Sequence, residues 1–194
     1  MELFKNARLK IGKRILAKKL ARTKRNVFYS NISLVKKIGI VWDASKPEEF
    51  ASLSKFHQNM NERNIEVKIL GYFPGKELPD RLTAIRFLTC LRKKEISFFY
   101  QPKSSEAATF MNTRFDVLID INFKKIFSLQ VISTLSNSGL KTGLFESESI
   151  ESPFDLMMEM KYPVDIDNYL VQVIQYLEVI NSGTAKTEKT IIEK

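Results

Sequence analysis

Short apolar runs alternate along this chain with stretches whose apolar residues recur every three or four positions, and that alternation predicts strands separated by helices. KKIGIVWD (36–43) is a continuous apolar run after a polar lead-in, the pattern of a strand buried on both faces. Ser45 stands three residues before Glu48, with Pro47 between them, so a capping box and a first-turn proline together predict a helix start. Phe50, Leu53, His57 and Met60 follow at helical spacing, which gives an amphipathic helix over 47–63. IEVKILGYF (65–73) is the next strand, closed by Pro74 and Gly75. Strand, helix and strand in so short a span form a βαβ unit, which requires a parallel pair and a right-handed crossover.

The pattern fades over 76–95, where a short helix or strand around 83–91 is the most that can be read. ISFFY (96–100) has the look of a strand and 105–114 of a helix. DVLIDI (116–121) is the clearest central strand; a helix over 125–137, a stop at Gly139 and a strand LKTGLF (140–145) complete a second βαβ unit. FDLMMEM (154–160) reads as an edge strand, and Asp165 or Asp167 caps a last helix through Leu170, Val173, Ile174, Leu177 and Ile180. The predicted fold is α/β: a single Rossmann-like three-layer domain with a mainly parallel sheet, preceded by a basic N-terminal helix. Its segments are an arm and linker over 1–35, the domain over 36–181, and a polar, disordered tail over 182–194.

Charge changes this picture at one end. Of the 194 residues, the first 25 hold ten cations, Lys5, Arg8, Lys10, Lys13, Arg14, Lys18, Lys19, Arg22, Lys24 and Arg25, against the single acid Glu2. That excess equals the net charge of +9 for the whole chain, and the remaining residues balance at 21 basic and 21 acidic. A neutral body carrying a concentrated cationic arm calls for a polyanionic partner: RNA, DNA or an anionic membrane surface. Residues 2–25 contain no proline and mostly good helix formers. At 100° per residue, Leu3, Phe4, Ala7, Ile11 and Ile15 fall near one line and Leu9, Leu16 and Leu20 opposite it, with cations in the gaps. One stripe is then free to lie on the body and the other on a partner, or the whole helix is a solubilising element docked on its own domain.

Composition removes several chemistries. The lone cysteine, Cys90, excludes an intramolecular disulfide framework and a multi-cysteine zinc site, and in AIRFLTCL it reads as a buried thiol. The only histidine, His57, shares its helix face with Phe50, Leu53 and Met60, so it reads as core-edge packing, and neither a histidine pair nor a plausible catalytic triad remains. No apolar stretch reaches the length of a secretory signal or of a membrane span, and a cytoplasmic protein is expected. The first strand runs into WDASKPEEF, without the glycines that bring a backbone up to a pyrophosphate, and GYFPGKEL is one residue short of a phosphate loop and has Glu77 at the magnesium-binding position. No cofactor or metal is expected. Asp43 and Asp120, with Asn122, stand at the carboxyl ends of central strands, where they either form a ligand pocket or satisfy loop amides and helix N-termini. The aromatic pairs Tyr72–Phe73 and Phe98–Tyr100 offer stacking surfaces for bases or, as is commoner, core packing.

Two resemblances rest on these segments. FDVLIDINFKKIFSLQVISTLSNSGLKTGLF (115–145) is similar in layout to the N-terminal Rossmann-like half of heptosyltransferase-type glycosyltransferases, with a strand ending in an acid at Asp120, a Ser- and Leu-rich helix over 128–136, and a short strand carrying Gly143. Those enzymes hold the nucleotide sugar between two such halves and only one is read here, so the resemblance implies at most a degenerate nucleotide-sugar binder. The whole chain resembles a family of short bacterial proteins, common in Bacteroidota and known as a domain of unknown function. Its marks are a Lys-rich N-terminal segment, an IGI-type strand (38–40), an FD-x-LI-D strand (115–120) and an S-x-LS-x-x-x-x-K-x-G segment (133–143). That resemblance implies the fold and a bacterial cytosolic origin and no activity. The leading functional expectation is a non-enzymatic binding protein whose arm engages RNA, as in a ribosomal particle, while the body contacts protein. The alternative is a peripheral membrane protein on anionic lipid.

Overall fold

The computed structural model describes residues 2–83, 85–145, 152–181 and 183–184. From the N-terminus, α1 (Glu2–Leu20) leads through β1 (Phe28–Tyr29) into β2 (Lys37–Asp43), α2 (Phe50–Glu62) and β3 (Glu66–Phe73). There follow β4 (Leu88–Arg92), α3 (Ser105–Asn112), β5 (Phe115–Ile121), α4 (Phe127–Leu135), β6 (Ser138–Leu144), β7 (Leu156–Met158), α5 (Ile166–Val179) and β8 (Gly183–Thr184). Six of the strands make one sheet in the order β4-β3-β2-β5-β6-β7, every pair parallel, and β1 pairs antiparallel with β8 beside it. This is the Rossmann-like order, reversing direction between β2 and β5.

The sheet is buried on both faces, which is why its central strands read as unbroken apolar runs. On one face Ile38, Ile40, Trp42, Val67, Ile69 and Ile119 pack against Leu53, Phe56 and Met60 of α2 and Tyr169, Leu170 and Val173 of α5. On the other, Val41, Leu70, Phe115 and Leu118 meet Ala107 and Phe110 of α3 and Leu129 and Ile132 of α4. Each fully buried Leu, Ile, Val or Phe side chain contributes roughly 1.5–3 kcal/mol, so these two layers hold the fold together.

Local chemistry departs from expectation at four places. Ser45 does not cap α2: its amide donates to Asp43 Oδ1 at 3.0 Å and its hydroxyl accepts from Lys124 Nζ at 2.8 Å, so a 3-10 turn over Pro47–Glu49 opens the helix instead. Residues 96–100 form no strand. Ser97 N–H donates to the Gln101 carbonyl at 2.8 Å, Tyr100 takes φ of 60°, and the edge position beside β3 goes to β4, within the stretch 76–95 whose pattern fades. Gly139 is not a helix stop but the second residue of β6, where the Phe28 ring lies so close that a Cβ would collide with it. Finally, Gly183–Thr184, expected in the disordered tail, pair with Phe28–Tyr29, whereas 185–194 lie outside the described residues.

Candidate functional site

The arm is a helix seated on the body along one face. Leu9, Gly12, Ile15 and Leu16 recur at helical spacing and turn inward, with Gly12 and Leu16 buried. A Cβ at Gly12 would lie 2.6 Å from the Phe99 carbonyl oxygen and 2.8 Å from the Phe127 ring, so only glycine lets the helix backbone approach this closely. The misread segment 96–100 supplies the seat. Arg8 Nε donates to the Phe98 carbonyl at 2.8 Å, and its guanidinium sits 4.1 Å from the Phe98 ring centre and 4.7 Å from that of Tyr100, a cation–π clamp. Gln101 then bridges two turns of the helix, accepting from Lys19 Nζ at 3.2 Å and donating to the Gly12 carbonyl at 3.3 Å. Phe98 and Tyr100 thus hold the arm, with Phe98 still 63% exposed.

Past the helix, Arg25 forms a two-pronged ion pair with Asp155, at 2.5 and 2.7 Å, with both side chains largely buried. Asp155 Oδ2 also accepts from the Lys141 amide at 2.8 Å, tying the arm's end to β6. Lys141 itself is 2% exposed and its Nζ donates to the Thr134 carbonyl at 2.7 Å. Burial, reinforced by the Arg25 charge and opposed by Asp155, pushes its pKa down to about 7. A lysine in the middle of an otherwise apolar run, LKTGLF, was the sequence signal for this group, and it was passed over as part of a motif.

Of the ten arm cations, the body therefore takes three, Arg8, Lys19 and Arg25. Lys5, Lys10, Lys13, Arg14, Lys18, Arg22 and Lys24 are exposed and have no ion pair among the described residues. At 100° per residue Lys10 and Arg14 point directly away from the docked face, with Lys13 and Lys18 on either side. Neither apolar stripe docks whole: Ile15 turns inward, whereas Phe4 and Ile11 of the same stripe are 77% and 39% exposed, and Leu20 of the opposite one is 46% exposed. Nineteen helical residues span about 28 Å, room for a row of phosphates spaced along a nucleic-acid backbone.

The acids at the strand ends sit where expected, on adjacent strands at the point where the sheet reverses direction, and each is bonded to its own loop and to a neighbouring segment. Asp43 takes the Ser45 amide on Oδ1 and pairs with Lys124 at 3.3 Å through Oδ2. Asp120 accepts the Asn122 amide at 2.8 Å and a very short bond from the Ser133 hydroxyl. Asn122 closes the next turn by exchanging two side-chain bonds with the Ile126 backbone, at 2.8 and 3.0 Å. All three are buried, and the carboxylate bonds described here run to loop amides, a hydroxyl and an ammonium. Elsewhere, His57 stacks on Phe87 with ring centres 3.6 Å apart, and burial lowers its pKa. Burial pushes the Cys90 thiol up to about 12, which keeps it protonated and a poor nucleophile at neutral pH.

Among the described residues no cluster of His, Cys, Asp or Glu is arranged to hold a metal, and no helix is long and apolar enough to cross a membrane. No curated protein matches the chain. A family profile does match, over residues 8–180, beginning at Arg8, the first arm residue that grips the body, and ending at Ile180, which caps α5. The seated arm and the Rossmann-like body are thus one unit, and the chain belongs to the Family of unknown function (DUF6913).

Proposed function

We propose that this is a non-enzymatic cytoplasmic RNA-binding protein that presents the outer face of α1 to the phosphate backbone of a structured RNA such as that of a ribosomal particle. The supporting observation is the division of labour among the arm cations: three seat the helix and seven face solvent without an acid. A helix held by Arg8, Gly12 and Gln101 carries its charges in a fixed row and loses less conformational entropy on binding than a free polycation would. Six to ten phosphate contacts make affinity fall by about 10³- to 10⁵-fold between about 50 and 200 mM salt. Replacing Lys10, Lys13, Arg14 and Lys18 together by Gln is expected to flatten the slope of log K against log salt by about 3 to 4 on a duplex-containing RNA, measured by fluorescence anisotropy. An unchanged slope overturns the proposal.

The exposure of Phe4 and Ile11 beside Lys10, Arg14 and Lys18 favours a second reading, an anionic membrane surface, on which each well-placed cation contributes about 1 kcal/mol. Replacing Phe4 and Ile11 by Ser separates the two. Flotation with phosphatidylserine vesicles is lost if lipid is the partner, while RNA affinity is unaffected if RNA is.

A further inference from the structure

We infer that the RNA path continues off the helix into a cleft at the amino edge of the sheet, a phosphate-binding site built jointly by the end of the arm and the body; this inference rests on the RNA reading above. Two cavities adjoin there, about 430 and 210 Å³, and share Lys24 and Asn137 as walls. The larger lies between residues 19–25 and the C-terminal ends of α3 and α4. The smaller lies under Arg114, at the start of β5, and Ser138, at the start of β6. Lys19, Arg22, Lys24, Arg25 and Arg114 line the pair, and no Asp or Glu does. Arg25 is matched by Asp155, whereas Arg22, Lys24 and Arg114 are exposed and have no ion pair among the described residues.

The contrast with the cavity between α2 and α5 decides what the cleft attracts. There, about 490 Å³ is lined by Lys55 and Arg63 together with Glu62, Asp167 and Glu178, so the acids outnumber the cations and leave no positive excess. At the amino edge they do not, and a concave site lined by one sign of charge concentrates its counter-ion.

Two further observations make the site more than a basic patch. The Arg114 guanidinium is held over the Phe28 ring, 5.8 Å from its centre, and Phe28 is itself fixed against bare Gly139, so the cation is positioned by packing without being neutralised. Ser138 Oγ, buried and with no hydrogen-bond partner among the described residues, belongs to the wall of the smaller cavity. A desolvated hydroxyl without a partner is unfavourable, a penalty removed when an acceptor such as a phosphate oxygen reaches it. The ligand chemistry is that of consecutive backbone phosphates, met by Lys24 and Arg114 with the Asn137 amide between them. The edge used is opposite to the one at which parallel sheets of this order bind ligands.

The test is anisotropy of a fluorescein-labelled oligouridylate of about 12 nucleotides, titrated with the full chain across about 50 to 200 mM salt. Arg114→Gln is expected to weaken binding about 3- to 10-fold and to reduce the salt slope by about 0.7, one single-strand phosphate. Lys24→Gln, which breaks no contact with the body, is expected to do the same, and guards against a folding defect in the first variant. If both bind as the wild type does while the Lys10, Lys13, Arg14, Lys18 variant loses affinity, the helix reading survives and the cleft is overturned. If the wild type binds neither this oligouridylate nor the duplex-containing RNA at about 50 mM salt, the RNA reading falls and the cleft with it; binding to the duplex alone overturns the cleft and leaves the helix reading standing.

Discussion

The two edges of the sheet are finished in opposite ways. At the carboxyl edge, between β2 and β5, Asp43, Asp120 and Asn122 are buried and bonded, Asp43 to Ser45 and Lys124, Asp120 to Ser133 of α4, and Asn122 to Ile126. At the amino edge the added arm brings Arg22 and Lys24 beside Arg114, and none of the three has an ion pair among the described residues. Among the described residues one edge is closed by its own hydrogen bonds and the other leaves its charges open. The electrostatic surplus sits on an element outside the sheet.

Breaking the closed edge produces the largest effect. Asp120→Ala strands the Ser133 hydroxyl and the Asn122 amide in a buried site, and is expected to lower unfolding free energy by about 3 kcal/mol in urea while leaving RNA affinity of the folded fraction unchanged. Loss of ligand binding without loss of stability would instead make the carboxyl edge the working one. Next comes the seam between the two regions. Gly12→Val drives a branched side chain into the Phe99 carbonyl and the Phe127 ring, costing about 2 kcal/mol and exposing the segment around Arg8–Leu20 to limited proteolysis.

The smallest effect sharpens the comparison by pH. Lys141 lies beneath the open edge with its pKa pushed down to about 7, so the folded chain holds that amine neutral over a range in which the unfolded chain keeps it protonated. Between about pH 7 and 8.5 the unfolded state binds the extra proton, and stability rises with pH by roughly 1 kcal/mol per unit. Below pH 7 both states are charged and the slope vanishes. Above about pH 9 the two contributions offset, because the Cys90 thiol, pushed up to about 12, stays protonated in the fold while it ionises in the unfolded chain, and stability falls only above about pH 10.5, where the unfolded chain's Lys141 has also lost its proton. Chemical denaturation of Lys141→Met is expected to lose the rising limb and keep the falling one.

What could be read in advance follows the physics of burial. β2, β3, β5 and β6 announced themselves because a strand covered on both faces is mostly apolar, even where β6 buries Lys141 and Thr142. β4 did not, since at the sheet's margin only Leu88 and Leu91 of its five residues are buried. The aromatic run at 96–100 misled because its apolar side chains serve a helix some 90 residues earlier in the chain, a destination that no local period encodes. The arm cations were legible from charge alone, and Asp43, Asp120 and Asn122 from their places at strand ends. Which three cations turn inward was not legible, nor was the cleft, because Lys24, Arg114 and Asn137 become neighbours only after the crossovers are made.

The clamp between Arg25 and Asp155 also imposes an order of events in synthesis, since its two halves are 130 residues apart. At about 5 to 20 residues per second, roughly 6 to 26 seconds pass between translation of the first and of the second. For that interval the arm has left the peptidyl-transferase centre while its final anchor does not exist, and the nearest polyanion is the ribosome that is making it. A nascent chain of this kind meets its proposed class of partner before it has finished folding.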